Sequence, residues 1–208
     1  MYEIELKAHV TDRRHVIETL NTFAAYDGTV DKQDTYYHLP HEGCMQTEGK
    51  GYISCRIRRE TRSVKNGEQA PTALSAQTTI LLTYKRKELR TGKDGTVLEV
   101  NDEKECTISD SEALESLLAD TGFTVARRKH KITEGWYAPT ESGTAHIELC
   151  RVPPLGDFLE IEIMRSTDDE KLVAETRKSI ERIFARCGIP LSAVEPRYYN
   201  ELLASADA

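Results

Sequence analysis

No stretch of this chain approaches the ~20 consecutive apolar residues that cross a bilayer as a helix, so no membrane-spanning helix is expected. A basic excess is missing too. The 28 Lys and Arg are outnumbered by 35 Asp and Glu, for a net charge of −7. Nucleic-acid binding needs a basic footprint, so that class is set aside. A small anionic ligand stays open, because a local Lys/Arg cluster or a metal can override the net sign. The five cysteines (Cys44, Cys55, Cys106, Cys150, Cys187) are odd in number and show no C-x-x-C spacing. This argues against a disulfide framework or a zinc site and predicts reduced thiols in a cytoplasm. The start has no basic region or apolar run, so no secretory signal is expected. No G-x-x-x-x-G-K-[ST] loop occurs, which removes ordinary P-loop phosphate binding. No repeat at solenoid periods is present, and the six histidines show no ligand spacing.

What the chain has is charge at every second position. In Glu3-Ile4-Glu5-Leu6-Lys7, two acids and a lysine share one strand face, with Ile4, Leu6, Ala8 and Val10 on the other. Arg56 and Arg58 repeat the spacing with cations, opposite Cys55 and Ile57. Lys85 and Lys87 lie opposite Leu82 and Tyr84, and Glu99, Asn101, Glu103 and Glu105 share a face. His146, Glu148 and Cys150 oppose Ile147 and Leu149, and Glu160 and Glu162 alternate with Leu159, Ile161 and Ile163. Two arrangements carry such a pattern: an antiparallel sheet with one solvated face, or a barrel with a polar lumen. The grouping of acids at i and i+2, and of arginines at the same spacing, suggests separate metal-binding and anion-binding walls of one cavity.

At 208 residues, 38% hydrophobic and 30% charged, the chain predicts one domain with a real core. A first helix is expected over Thr11–Tyr26, ended by Asp27-Gly28. A second is capped by Ser109 with Glu112 and stops at Gly122; a third is capped by Thr167 with Glu170 and ends at Gly188 and Pro190. Residues 61–79 are polar, hold Gly67 and Pro71, and predict a long hairpin loop within a domain spanning 1–203. Residues 204–208 predict a frayed tail. The class is α+β, with about eight strands and three or more helices.

Glu3-x-Glu5-x-Lys7 resembles the E-x-E-x-K signature of the CYTH superfamily, the triphosphate tunnel metalloenzymes. Further segments follow in family order. Gln33-Asp34-Thr35-Tyr36-Tyr37 resembles the Q-x-D-x-Y segment, Arg56-Ile57-Arg58 the R-x-R strand, and Leu82-Thr83-Tyr84-Lys85 the L-T-x-K strand. Leu155-Gly156-Asp157-Phe158-Leu159-Glu160-Ile161-Glu162 is similar to the L-G-D-F-x-E-I-E segment. Glu195-Pro196-Arg197-Tyr198-Tyr199 resembles the ending of the class IV adenylyl cyclase branch.

The resemblance implies a closed eight-stranded antiparallel β-barrel with a polar lumen and helices packed outside. It implies binding of ATP or another triphosphate, with Mg²⁺ or Mn²⁺, and a homodimer as one assembly. On that basis Arg56, Arg58, Lys85, Lys129 and Arg197 are the expected substrate ligands, since guanidinium forks and ammonium groups match phosphate. Lys129 lies in Arg127–Lys131, where the family's K-x-R strand falls in an open register. Glu3, Glu5, Glu103, Glu160 and Glu162 are the expected metal ligands, being hard oxygen donors. Lys7, with Arg58 and Lys85, is the expected catalytic group. It matches the family lysine that activates an attacking water, a role that needs a lowered pKa.

The chain also departs from the pattern. Cys150 stands where relatives carry a metal-binding acid, with Glu148 on the same face as a substitute. Asn101 stands in place of an arginine, and His38 where many relatives have an acid. Three readings remain: a class IV-type adenylyl cyclase, a triphosphate phosphohydrolase, and a nucleotide- or polyphosphate-binding protein that has lost catalysis.

Overall fold

The period-two pattern builds eight strands: β1 (Tyr2–Val10), β2 (Ala25–His38), β3 (Ile53–Ser63), β4 (Gln77–Thr91), β5 (Val97–Ile108), β6 (Thr124–Thr140), β7 (Gly143–Val152) and β8 (Gly156–Arg165). Helices α1 (Arg13–Leu20), α2 (Glu112–Asp120), α3 (Glu170–Arg186) and α4 (Tyr199–Ala206) accompany them, with a 3-10 turn at Leu191–Ala193. The computed structural model describes residues 2–38, 53–63, 77–91 and 97–206, with side chains at 2–38, 55–63, 77–84 and 104–206. The class is α+β as expected, an eight-stranded antiparallel sheet with helices. Among the described residues, no helix is long and apolar enough to cross a membrane.

The chain falls into two compact units. One holds the described residues up to Val30, Ser63, and those from Lys131 onward; the other holds those of 31–62 and 77–130. The boundary lies within β2 and within β6.

In the first unit, β1 pairs with β8, β8 with β7, and β7 with the second half of β6, all antiparallel. The apolar positions fall on one face. Ile4 and Ala8 of β1, Leu159, Ile161 and Ile163 of β8, and Ala145, Ile147 and Leu149 of β7 are all at most 4% exposed. Helix α3 packs on β1 and β8 and turns Val173, Ile180, Ile183 and Phe184 inward. Each fully buried side chain of this kind contributes roughly 1.5–3 kcal/mol, so this face holds the unit together. The opposite face carries the charges. Arg13 at the start of α1 ties the strand ends, donating to Glu134 (2.8 Å), Asp157 (3.0 Å) and the Leu149 carbonyl (3.2 Å). Gly156 opens β8 with φ +101°, a conformation that glycine adopts without the Cβ penalty.

In the second unit, β5, β4, β3, β2 and β6 are neighbours in that order. Its apolar cluster is Tyr37, Ile57 and Leu118, with Cys55, Ile80, Leu82, Leu114 and Phe123 packed against it.

Several boundaries differ from expectation. Helix α1 stops at Leu20, because Asn21 and Thr22 are poor helix formers and the Phe23 and Ala24 amides turn back to the Leu20 carbonyl. Tyr26 is therefore in β2, where its ring meets Trp136 edge-on. Gly28 is also inside β2, at φ +126°, where a Cβ would press on the Ser63 carbonyl at 3.3 Å. Helix α2 is N-capped at Ser111, with Asp110 Oδ1 accepting from the Glu112 amide. Helix α3 is capped by Asp169, which accepts from the Lys171 and Leu172 amides. A carboxylate is the stronger acceptor there and also complements the helix dipole. Thr61 pairs with Thr78 and Arg62 with Gln77, so the β3–β4 ladder runs into the segment expected as loop. Residues 64–76 of that loop lie outside the described residues. Ala204–Ala206, expected as tail, complete α4, which is anchored by buried Tyr199, Leu202 and Leu203.

Candidate functional site

Charge is sorted between the two units. In the second, the polar faces of β2, β3 and β6 converge on Asp34, whose side chain is fully buried. Arg58 grips it with two bonds, Nε to Oδ1 at 2.6 Å and Nη2 to Oδ2 at 3.1 Å. Lys129 Nζ lies 2.9 Å from Oδ2, and Arg56 Nη1 at 4.0 Å. The Tyr36 hydroxyl donates to Asp34 Oδ2 (3.3 Å) and accepts from Lys129 Nζ (3.1 Å). Three cations thus surround one carboxylate. Glu60 accepts from Arg58 (3.3 Å). Thr83 accepts from Arg56 and donates to Glu105 Oε2 at 2.7 Å, with the Arg56 guanidinium 3.6 Å from that oxygen. Burial alone would push the Asp34 carboxyl up. The charges of Lys129, Arg58 and Arg56 and the Arg58 hydrogen bonds more than reverse this and hold it far below the usual carboxylate range. Burial opposes the Arg58 charge, and Asp34 restores it, raising the guanidinium above its ordinary value.

The first unit inverts the arrangement. Its polar face is a grid set by strand register. Lys7 pairs with Glu160, and Glu160 with Glu148; Glu5 pairs with Glu162, and Glu162 with His146. Lys131 reaches this grid from β6, its Nζ 3.0 Å from Glu148 Oε2 and 2.5 Å from Glu160 Oε2. The Cys150 thiol donates to the same Glu160 oxygen at 3.4 Å. Ligand atoms of Glu148, Cys150 and Glu160 all lie within 4.8 Å of one another. Side-chain exposure of Glu148 and Glu160 is 12% and that of Lys131 is 6%, so this is not an open solvated face. Burial and the neighbouring Glu148 charge would raise Glu160, but the Lys131 charge together with hydrogen bonds from Lys131 and Tyr199 outweighs them and lowers it. Tyr199 is itself pushed well above 10 by burial and by the charge of Glu160. Glu162 is lowered in spite of its burial by hydrogen bonds with His146 and Glu3.

Most of the expected residues fall in these two clusters. Arg56, Arg58 and Lys129 come together around Asp34. Glu3, Glu5, Glu160 and Glu162 share the acidic grid with Lys7. Lys7 Nζ donates to the Arg197 carbonyl at 2.6 Å and sits 4.2 Å from the centre of the Tyr199 ring. The Arg197 side chain does not join the other cations. It folds onto Glu195 at 2.9 and 2.6 Å, and His9 lies 3.2 Å from the same carboxylate. The side chains of Lys85 and Glu103 lie outside the described residues; their backbones pair in the β4–β5 ladder. The open register of β6 resolves with Lys129 and Lys131 both inward, at 8% and 5% exposure. Sequence reasoning missed Asp34 and Lys131 as cluster centres. Asp34 was readable, since it shares parity with Tyr36 in a quoted motif. Lys131 was not, because its partners are set by pairing across strands.

The chain matches the CYTH domain model over residues 1–199. Among solved structures it is similar to the PH1819 protein of Pyrococcus horikoshii OT3, at 27% identity over 98% of this chain and 99% of that one, TM-score 0.72. It is also similar to the PH1012 protein of the same organism, at 25% identity over 96% and 98%, TM-score 0.64. A Vibrio parahaemolyticus protein provisionally named an adenylate cyclase shares the fold at 19% identity over 98% of each chain, TM-score 0.68. No curated protein matches.

Proposed function

This chain belongs to the CYTH family, and from that premise we propose that it is a metal-dependent enzyme acting on a triphosphate, as a class IV-type adenylyl cyclase converting ATP to cyclic AMP and pyrophosphate. The carrying observation is the sorting of charge into a cluster of Arg56, Arg58 and Lys129 and a cluster of Glu148, Glu160 and Glu162. A triphosphate brings about four negative charges and its leaving group gains more in the transition state. The first cluster supplies fixed cations for it, and the second supplies ligands for the metal that accompanies it. We place the ligand in the family's triphosphate tunnel, in a cytoplasmic protein whose described thiols are free.

The acidic residues fit a hard divalent cation. Glu148 and Glu160 already hold a cationic group between them, the Lys131 ammonium, and Glu5 and Glu162 stand in the next row. These four would hold Mg²⁺ or Mn²⁺, with Glu3 hydrogen-bonded to Glu162 behind them. When bound, the ion supplies positive charge against the triphosphate and offsets its repulsion from the carboxylates. In the cyclase reaction the ribose 3′ oxygen bonds to the α-phosphorus, the bond to the bridging oxygen breaks, pyrophosphate leaves, and the hydroxyl proton is released. Arg56, Arg58 and Lys129 hold the phosphates through that step, joined by Lys85 and, once released from Glu195, by Arg197. A second reading, triphosphate hydrolysis, is favoured by Lys7, which lies on the acidic face beside Tyr199, where it could orient a water.

Product chromatography with ATP or inorganic triphosphate, in Mg²⁺ or Mn²⁺, tests the proposal. Cyclic AMP and pyrophosphate are expected. Orthophosphate would establish the hydrolase instead, and saturable binding without turnover would overturn both. In the same assay Glu5→Gln lowers metal-dependent turnover by about 100-fold or more, with thermal unfolding unchanged. Activity retained in Glu5→Gln would remove Glu5 from the metal ligands.

A further inference from the structure

Beside the acidic grid lies a cavity of about 430 Å³ lined by Tyr137, Thr144, His146, Glu162 and Met164, within the range of small-molecule sites. We infer that it receives the base of a nucleoside triphosphate, an inference that rests on the triphosphate reading above and names the substrate class within it. The register sets the geometry. Tyr137 pairs with His146, His146 with Glu162, and Glu162 with Glu5, so one row crosses four strands. The next row, Glu148, Glu160 and Lys7, is two residues away along each strand, about 7 Å. A base in the cavity would therefore sit next to the acidic ligands, with its sugar leading toward them.

The lining suits a planar ring. The Tyr137 and His146 rings are stacked, with centroids 4.8 Å apart and planes inclined by 24°. Glu162 fixes the imidazole through Nδ1 at 3.0 Å, so the stack is preorganised. Tyr137 and Met164 keep 42% and 47% of their surface exposed, large apolar groups bordering a recess instead of filling a core. An aromatic face accepts any base by stacking, and a thioether makes favourable contacts with ring edges. Inorganic triphosphate has nothing to place against such a surface.

The test compares dissociation constants of ATP and inorganic triphosphate by calorimetry, in EDTA so that no turnover occurs. Wild type should bind ATP about 5- to 100-fold more tightly than inorganic triphosphate, the range of one base–aromatic stack. Tyr137→Ala should remove most of that preference and Tyr137→Phe should keep it, because the ring face and not the hydroxyl makes the contact. Equal constants for both ligands, or a preference untouched by Tyr137→Ala, would overturn the inference and leave the triphosphate reading standing. Where neither ligand binds in EDTA the comparison is made with Mg²⁺ restored, and binding of neither ligand there would overturn the triphosphate reading and this inference with it.

Discussion

The two charged clusters are built on opposite plans. In the unit containing β3 and β4, one buried carboxylate, Asp34, is held by three cations. In the unit containing β7 and β8, one buried lysine, Lys131, is held by two carboxylates. A group of like charges cannot be buried at acceptable cost without a partner of opposite sign. Each cluster therefore carries a central counter-charge, Asp34 in one and Lys131 in the other, that lets it fold with no ligand present. A ligand arriving at either cluster must join or displace that residue. Strand β6 supplies Lys129 to one cluster and Lys131, two positions on, to the other.

Removing the resident charges is the direct way to break this comparison, and Asp34 should matter most. Asp34→Asn leaves Arg58, Lys129 and Arg56 without their shared anion and should cost about 3–5 kcal/mol in urea unfolding. A loss below 1 kcal/mol would mean that Glu60 and Glu105 suffice as counter-ions.

Lys131→Met should cost about 3 kcal/mol, since only Glu148 and Glu160 lose their partner. Here the inverted plan gives a distinguishing result. Millimolar Mg²⁺ or Mn²⁺ should restore more stability to Lys131→Met than it adds to wild type, and should add no more to Asp34→Asn than to wild type. Equal metal effects on all three proteins would remove Glu148 and Glu160 from the metal site.

The smallest effect concerns the pair outside both clusters. Hydrogen bonds from Arg197 outweigh burial and hold Glu195 down at about 2, against an unfolded value near 4.3. Its contribution is therefore full above about pH 4.3 and is lost as pH falls toward 2. Arg197 is 55% exposed, so screening limits the effect to about 1 kcal/mol. Denaturant midpoints of wild type and Glu195→Gln should differ by a constant amount from pH 7 to 5 and converge between pH 4 and 2. A gap unchanged across that range would show that the carboxylate charge contributes nothing.

Much of this was legible in the residue order. The alternation Ile4, Leu6, Ala8 against Glu3, Glu5, Lys7 predicts a strand and its two faces, because side chains in a strand alternate strictly. Arg56 with Arg58, and Glu160 with Glu162, are recognisable pairs for the same reason. Helix ends were read less well, as with α1, because local hydrogen bonds after Leu20 and the pull of Tyr26 onto Trp136 compete with a weak helical preference. Arg197 was expected to close the phosphate site, yet Glu195, two residues away, is the nearer partner.

The sequence by itself determined the family, the parity of each strand and the residue types available to hold a phosphate or a metal, since all three depend on local order. Only the tertiary structure decided which charge meets which. Lys131 finds Glu160 across 29 residues and Asp34 finds Arg58 across 24. Pairings of that kind depend on inter-strand register, where a shift of one residue turns every side chain to the opposite face.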